Sequence, residues 1–407
     1  MWSMRLEMRM ESNVSKNNQA IPVVMYHSVG RALPDWKWSY LTVPFHIFED
    51  HLRWLVKKGY QTVGLDQLYL HASGHKPLSP KSVVLTFDDG YVDNWTYVVP
   101  LLKKYGCTGT VFVNPDFVDP ADSVRANLDD VWAGRILEQD LTVRGFMSWA
   151  ELRHLVLHGP LKVEAHAMTH TWYPSGPRII DFHHPDDDHY WLDWNHSPEQ
   201  KPYYLLAPRE SRVPWGTPVY EHQKSLAGRR YFSNPEEARL LAEYVRMEGG
   251  ISFFSRADWR DQLHDKIASA RAGKLQGTYE TDQDQVLRYR YELTECKRIL
   301  EEQLGRNPCF LCWPGGGYNE VSRTMALELY TSVTLGSADP SPNRNRPGDN
   351  PQLIRRIGVP GFWLKGRYVY PGGRYFIQVL KEYQGSKIAR RYRQMQKACI
   401  VACSCKA

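Results

Sequence analysis

Nowhere in the 407 residues is there an unbroken apolar run of about 18, the length a membrane-spanning helix needs. The sequence therefore predicts no helical membrane span. The first twenty residues, MWSMRLEMRMESNVSKNNQA, lack the apolar core and small-residue cleavage site of a secretory signal. They read as a loose leader, 1–20. Cysteine is scarce and odd in number, seven in all, which argues against a secreted disulfide framework and for a reduced, cytoplasmic protein. A strong charge bias is missing too. The net charge of +6 is spread widely, with no basic stripe interleaved with aromatics, so nucleic acid is not an expected partner. There are no internal repeats and no long low-complexity tracts.

What is present is material for a large core. The chain is 42% hydrophobic and 24% charged, which excludes global disorder. Aromatics reach 13%, with 14 Trp and 24 Tyr, side chains that fill cores and also stack on sugar rings. Apolar runs at IPVVMYHS (21–28), VVLTF (83–87), CTGTVFVN (107–114) and LKVEAH (161–166) read as buried strands. Helical spacing occupies 44–60, 94–106 and 148–159, the last with a Ser148–Glu151 cap and a Gly159 stop. Strands alternating with helices predict parallel strands with crossovers, whose chemistry gathers at the strand C-terminal ends.

Three such ends carry reactive side chains: His27, Asp88–Asp89 and His166. Two adjacent carboxylates closing a buried strand repel each other and resist desolvation, so a cation or a proton must offset them. EAHAMTH places His166 and His170 four apart at another strand end. With Asp89 they form a His-His-Asp set with an open position, the catalytic pattern for zinc. Asp88 is then left as the base, and Gly90 permits the sharp exit from the strand. Taken alone, H-x-x-x-H is weak and Asp-Asp-Gly is a common turn; their joint placement carries the reading.

TFDDGY (86–91), HAMTH (166–170) and FLCWPGGGYN (310–319) resemble, in order, the motifs of the polysaccharide deacetylase (NodB-homology, carbohydrate esterase) family, and VVMYHSVG (23–30) resembles the first strand of one subgroup. The resemblance covers 21–174 and 300–384. It implies an α/β fold, a distorted (β/α) barrel that removes acetyl groups from sugars with a divalent metal, zinc foremost. It implies Asp88 as base, Asp89, His166 and His170 as metal ligands, the Gly315 amide as oxyanion donor and His27 as acid. Tyr91 and Trp313 are the candidates for sugar contact, with core filling an equal reading for Trp313. Two departures stand out. Ala167 follows the first motif histidine where many members have Ser or Thr. Cys312-Trp313-Pro314-Gly315 stands where many have Arg-Pro-Pro-Tyr, so the arginine that orients the base is missing; Arg209 and Arg212 are candidates to replace it.

Residues 175–299 read as an insertion over the barrel mouth, ending in a long helix that leads back, and 385–407 as a basic, disordered tail bearing cysteines. DFHHPDDDHYWLDWNH (181–196) reads as a solvated loop facing a polar ligand, with a second metal site as the alternative. Cys309 and Cys312, three apart on a strand, point to opposite faces and suit neither a shared metal nor a disulfide. The expected protein is a cytoplasmic metal-dependent hydrolase of linear C–N amide bonds, taking N-acetyl groups from an acetamido sugar or glycan. The alternatives are hydrolysis of a non-sugar amide or a catalytically silent glycan-binding barrel. A lipid-linked substrate would add a peripheral membrane contact.

Overall fold

Every residue of Ser82–Phe87 is buried, as expected of a parallel strand covered on both faces. In the computed structural model, which describes residues 19–208, 210–271 and 277–404, this strand sits near the middle of a large sheet. Along the chain come β1 (Val23–Tyr26), α1 (Phe45–Lys57), β2 (Ser82–Phe87), β3 (Gly109–Val113), α2 (Trp149–His158) and β4 (Leu161–Ala165). An antiparallel pair follows, β5 (Trp172–Phe182) and β6 (Pro218–Lys224), with α3 (Tyr190–His196) between them. Then come α4 (Pro235–Met247), α5 (Trp259–Arg271), α6 (Asp282–Leu304), β7 (Phe310–Leu311), α7 (Glu320–Leu329), β8 (Ser332–Thr334), β9 (Leu353–Ile354) and β10 (Ile357–Gly358). A small hairpin, β11 (Phe362–Leu364) and β12 (Arg367–Val369), precedes α8 (Gly373–Tyr383) and α9 (Lys387–Ser404).

The sheet order is β9-β8-β7-β4-β3-β2-β1-β10, parallel at every step. Its two edges, β9 and β10, are separated in sequence only by Arg355 and Arg356. Three peptide steps reach at most about 11 Å. The sheet must therefore curl until its edges meet, and the covalent chain closes it. This is the distorted α/β barrel the sequence predicts.

The cap read at the start of α2 is present: Ser148 Oγ accepts from the Glu151 amide at 3.1 Å and Glu151 Oε2 from the Ser148 amide at 2.8 Å. The stretch 94–106 departs from a plain helix, with a π turn over Asn94–Val98 before helix resumes at Val99–Lys104. The segment 175–299 divides in two. Its last part, α6, buries Leu293, Cys296 and Leu300 in the barrel's own core and serves as a barrel helix. The rest has a separate core around Phe182, Leu241, Phe253 and Leu263. The C-terminal expectation is corrected as well. Residues 387–404 form α9, held to α8 by buried Ala389 and by Arg393, which donates to Glu382 and to the Tyr375 hydroxyl. Residues 1–18 of the leader and Cys405 lie outside the described residues.

Candidate active site

The strand order places β1, β2 and β4 so that their C-terminal ends open on one side of the barrel. His27, Asp88, Asp89, Tyr91, His166, His170, Trp313 and Gly315 all line a single cleft there, of about 370 Å³. The catalytic, metal-ligand, oxyanion and sugar-contact candidates named from the sequence thus reach the same place.

Asp89 is the pivot. Its φ of 72° is left-handed, an uncommon conformation for a residue with a Cβ, and it turns the carboxylate into the cleft. Asp89 Oδ1 lies 3.1 Å from His166 Nε2 and 3.2 Å from His170 Nε2. His166 Nδ1 donates to the Cys312 carbonyl at 2.8 Å, which leaves Nε2 as the lone-pair nitrogen. A buried carboxylate oxygen between two imidazole nitrogens is a donor set that fits a divalent cation. A second convergent group, Asp88, His166 and Cys312, has its cationic place filled by an arginine.

The loop carrying the histidines is itself strained, with Ala167 at φ 57° and His170 at φ 41°. Two buried groups absent from the sequence reading hold it. Asn114 Nδ2 donates to the His166 and Ala167 carbonyls. Glu292, from α6, accepts from the Met168 and Thr169 amides at 3.1 and 2.9 Å and from the Thr169 hydroxyl. These bonds brace the loop whose usual Ser or Thr is Ala167 here.

Arg356 replaces the missing motif arginine. Its Nη1 and Nη2 donate to the two oxygens of Asp88 at 2.7 and 2.9 Å, a bidentate fork. Cys312, which occupies the arginine's usual place, lets the fork pass: Arg356 Nη2 is 2.9 Å from its Sγ. Burial alone would raise the Asp88 carboxyl. Arg356, with His166 and His27, outweighs it and holds the group below the usual carboxylate range. The proposal of Arg209 or Arg212 does not hold for Arg212, whose side chain meets Gln200 and Glu199 in the insertion; Arg209 lies outside the described residues. Arg356 has no sequence signal of its own, because it sits in a seam between two two-residue strands that periodicity cannot reveal.

His27 Nε2 lies 4.0 Å from Asp88 Oδ2 and keeps some exposure to the cleft. Gly315 adopts φ 55°, and a Cβ there would come within 2.8 Å of Lys224 Cε. Trp313 is wholly covered and stacks on Tyr318 at 5.0 Å, so it is core filler that also underlies the cleft. Tyr91 is nearly covered as well and stacks on Phe146. Burial, then Tyr204 and Asp89, push its phenol well above the ordinary value, so it stays a neutral donor.

The insertion contributes Trp194, Tyr204 and Lys224 to the cleft, and Trp172, at the start of β5 just before it, adds a further ring. Trp172 and Trp194 pack on His170 with ring centroids at 5.4 and 6.1 Å. The 181–196 segment satisfies much of its polarity internally. His183 bridges Asp187 and Ser211 at 2.6 and 2.7 Å. Asp181 faces His184 and His189 through one carboxylate oxygen and Arg260 through the other. Cys309 and Cys312 are free thiols. Among the described residues, no helix is long and apolar enough to cross a membrane.

Fold and site together define a parallel α/β barrel with a carboxylate–histidine cluster at its mouth whose donor atoms fit a cation. Residues 75–199 match the family model described as Polysaccharide deacetylase. A Bacillus subtilis (strain 168) relative named "Putative polysaccharide deacetylase YxkH" is 41% identical over 93 residues, 23% of this chain and 31% of that protein. The "Poly-beta-1,6-N-acetyl-D-glucosamine N-deacetylase" of Escherichia coli (strain K12) is 35% identical over 82 residues, 20% of this chain and 12% of its own. The chain thus matches less than a third of the length of these curated relatives. Among solved structures, a de-N-acetylase from Aggregatibacter actinomycetemcomitans aligns at 16% identity and a TM-score of 0.48, over 83% of this chain and 94% of its own.

Proposed function

We propose that this protein is a metal-dependent hydrolase that removes N-acetyl groups from a glycan of acetamido sugars. The observation that carries the reading is the split between the two adjacent carboxylates. Asp89 faces His166 and His170, while Asp88 is held apart by Arg356 with His27 alongside. A binding-only barrel needs no such separated base. The similarity to the Escherichia coli enzyme makes β-1,6-linked N-acetylglucosamine the first substrate to assay.

In this reading Asp89, His166 and His170 hold a divalent ion, zinc foremost, which supplies Lewis-acid polarisation when bound. Asp88 accepts the proton of the attacking water, its lone pairs aimed by the Arg356 fork. The Gly315 amide donates to the oxygen that gains charge at the acetyl carbon. His27 gives a proton to the departing amine, and acetate and the free amine leave.

Chelation is expected to abolish acetate release, and Zn²⁺ or Co²⁺ to restore it. Full turnover by a protein whose measured metal content is zero would end this reading. His27→Ala is expected to lower kcat by about 10²–10⁴-fold with metal content and melting temperature retained. The loss should be larger for an amide than for an activated ester, whose leaving group needs no proton. Equal losses for the two would make His27 structural.

A further inference from the structure

The cleft of about 370 Å³ is at the small end of ligand pockets, so little of a polymer fits inside it. One side of its rim carries a set of aromatic rings that the mechanism does not use. Tyr40 lines the cleft and is 40% exposed; Trp363, on β11, is 62% exposed. Their ring centroids are 6.0 Å apart, and Tyr368 lies 6.0 Å from Tyr40 and 5.4 Å from Trp363.

The geometry is built, not incidental. Trp363 and Tyr368 are direct cross-strand partners of the β11–β12 hairpin and so share one face. The turn joining the strands, Lys365–Gly366, has φ of 48° and 75°, the tight pattern that matches strand twist. Any side chain at Gly361 would overlap the Tyr368 ring, so this glycine lets the ring lie against the backbone. The Tyr370 hydroxyl donates to the Tyr40 carbonyl and ties the hairpin to the cleft wall. On the opposite face, Phe362 receives the Lys397 ammonium at 4.8 Å, which anchors the hairpin to α9. An exposed tryptophan in such a rigid setting offers flat apolar area without an ordering cost on binding.

We propose that Tyr40, Trp363 and Tyr368 form a subsite for sugar rings of a glycan chain that runs out of the cleft. The preferred substrate is then an oligomer or polymer of acetamido sugars and not a monomer. A glycan is favoured over a lipid surface because the rings are continuous with the cleft through Tyr40. This inference rests on the proposed function and deepens it.

The test compares N-acetylglucosamine as monomer with β-1,6- and β-1,4-linked pentamers. Affinity is measured by calorimetry on Asp88→Asn protein, so that turnover does not intrude, and acetate release on the wild type. A pentamer of either linkage should bind more tightly than the monomer. Trp363→Ala should weaken the pentamer by about tenfold and the monomer by less, collapsing the length preference. Trp363→Phe should restore most of it, and Tyr392→Ala, on α9, should leave it in place. Equal weakening of both lengths, no weakening, or no binding of either pentamer overturns the subsite. So does loss of sedimentation with phosphatidylglycerol vesicles in Trp363→Ala while pentamer affinity holds, which would make the hairpin a membrane contact. A length preference lost in Trp363→Ala, with no acetate released by the wild type, would keep the subsite and remove the deacetylase reading. Acetate release whose length preference survives Trp363→Ala would do the reverse.

Discussion

Asp88→Asn is expected to cost about 10²–10⁴-fold in turnover and leave the bound metal in place. The substitution keeps the shape of the side chain and removes its capacity to take a proton. Asp89→Asn is expected to do something different. Asp89 Oδ1 is the oxygen set between His166 Nε2 and His170 Nε2, so weakening it removes the site's only negative ligand. Metal content, measured on protein dialysed against a weak chelator, separates the two. Equal metal loss in both variants would show that the adjacent carboxylates do not divide their roles.

Arg356→Ala is expected to be the most damaging change to stability among the site residues. It leaves the Asp88 carboxylate buried without its cationic partner, a loss typically of about 3–5 kcal/mol. Arg356→Lys keeps the charge and loses the two-pronged fork, so it should recover only part. The dependence on pH differs between the proteins. In the wild type the folded carboxyl is lowered, so the pair's stabilisation is full above the unfolded carboxyl's range and fades as pH falls through the lowered folded value. Without Arg356 the largest influence lowering the carboxyl is gone, so its folded value moves up from that of the wild type and the stabilisation present at neutral pH shrinks. Denaturation midpoints should therefore diverge as pH climbs from acid to neutral. A double variant, Asp88→Asn with Arg356→Ala, should be less destabilised than the sum of the singles. Parallel pH curves for wild type and Arg356→Ala would show that the fork does not control Asp88.

Much of the site was legible because chemistry and strand ends coincide. TFDDGY and HAMTH each follow a buried apolar run, and a parallel barrel sends all such ends to one side. His27 was legible for the same reason. The insertion was visible as a change in texture, but its inner boundary was not: the buried residues of α6 look like those of any amphipathic helix, and only contact with the barrel core assigns it. The basic C-terminal stretch was misread because composition suggested solvation, whereas Arg393 finds Glu382 and Ala389 fills the groove beside α8.

By itself, the sequence determined the alternation of strands and helices, the Ser148 cap and the sharp exit that Gly90 permits at the end of β2. These depend on residues near one another along the chain. Tertiary structure alone decided which cation faces Asp88, what braces the histidine loop and which aromatics reach the rim. Arg356 lies 268 positions from Asp88 and Glu292 124 from Met168. Arg356 meets Asp88 because β10 pairs with β1, which pairs with β2, and Glu292 meets Met168 because α6 leads into β7, which pairs with β4. That pairing is a property of the whole barrel, and no local pattern of residues carries it.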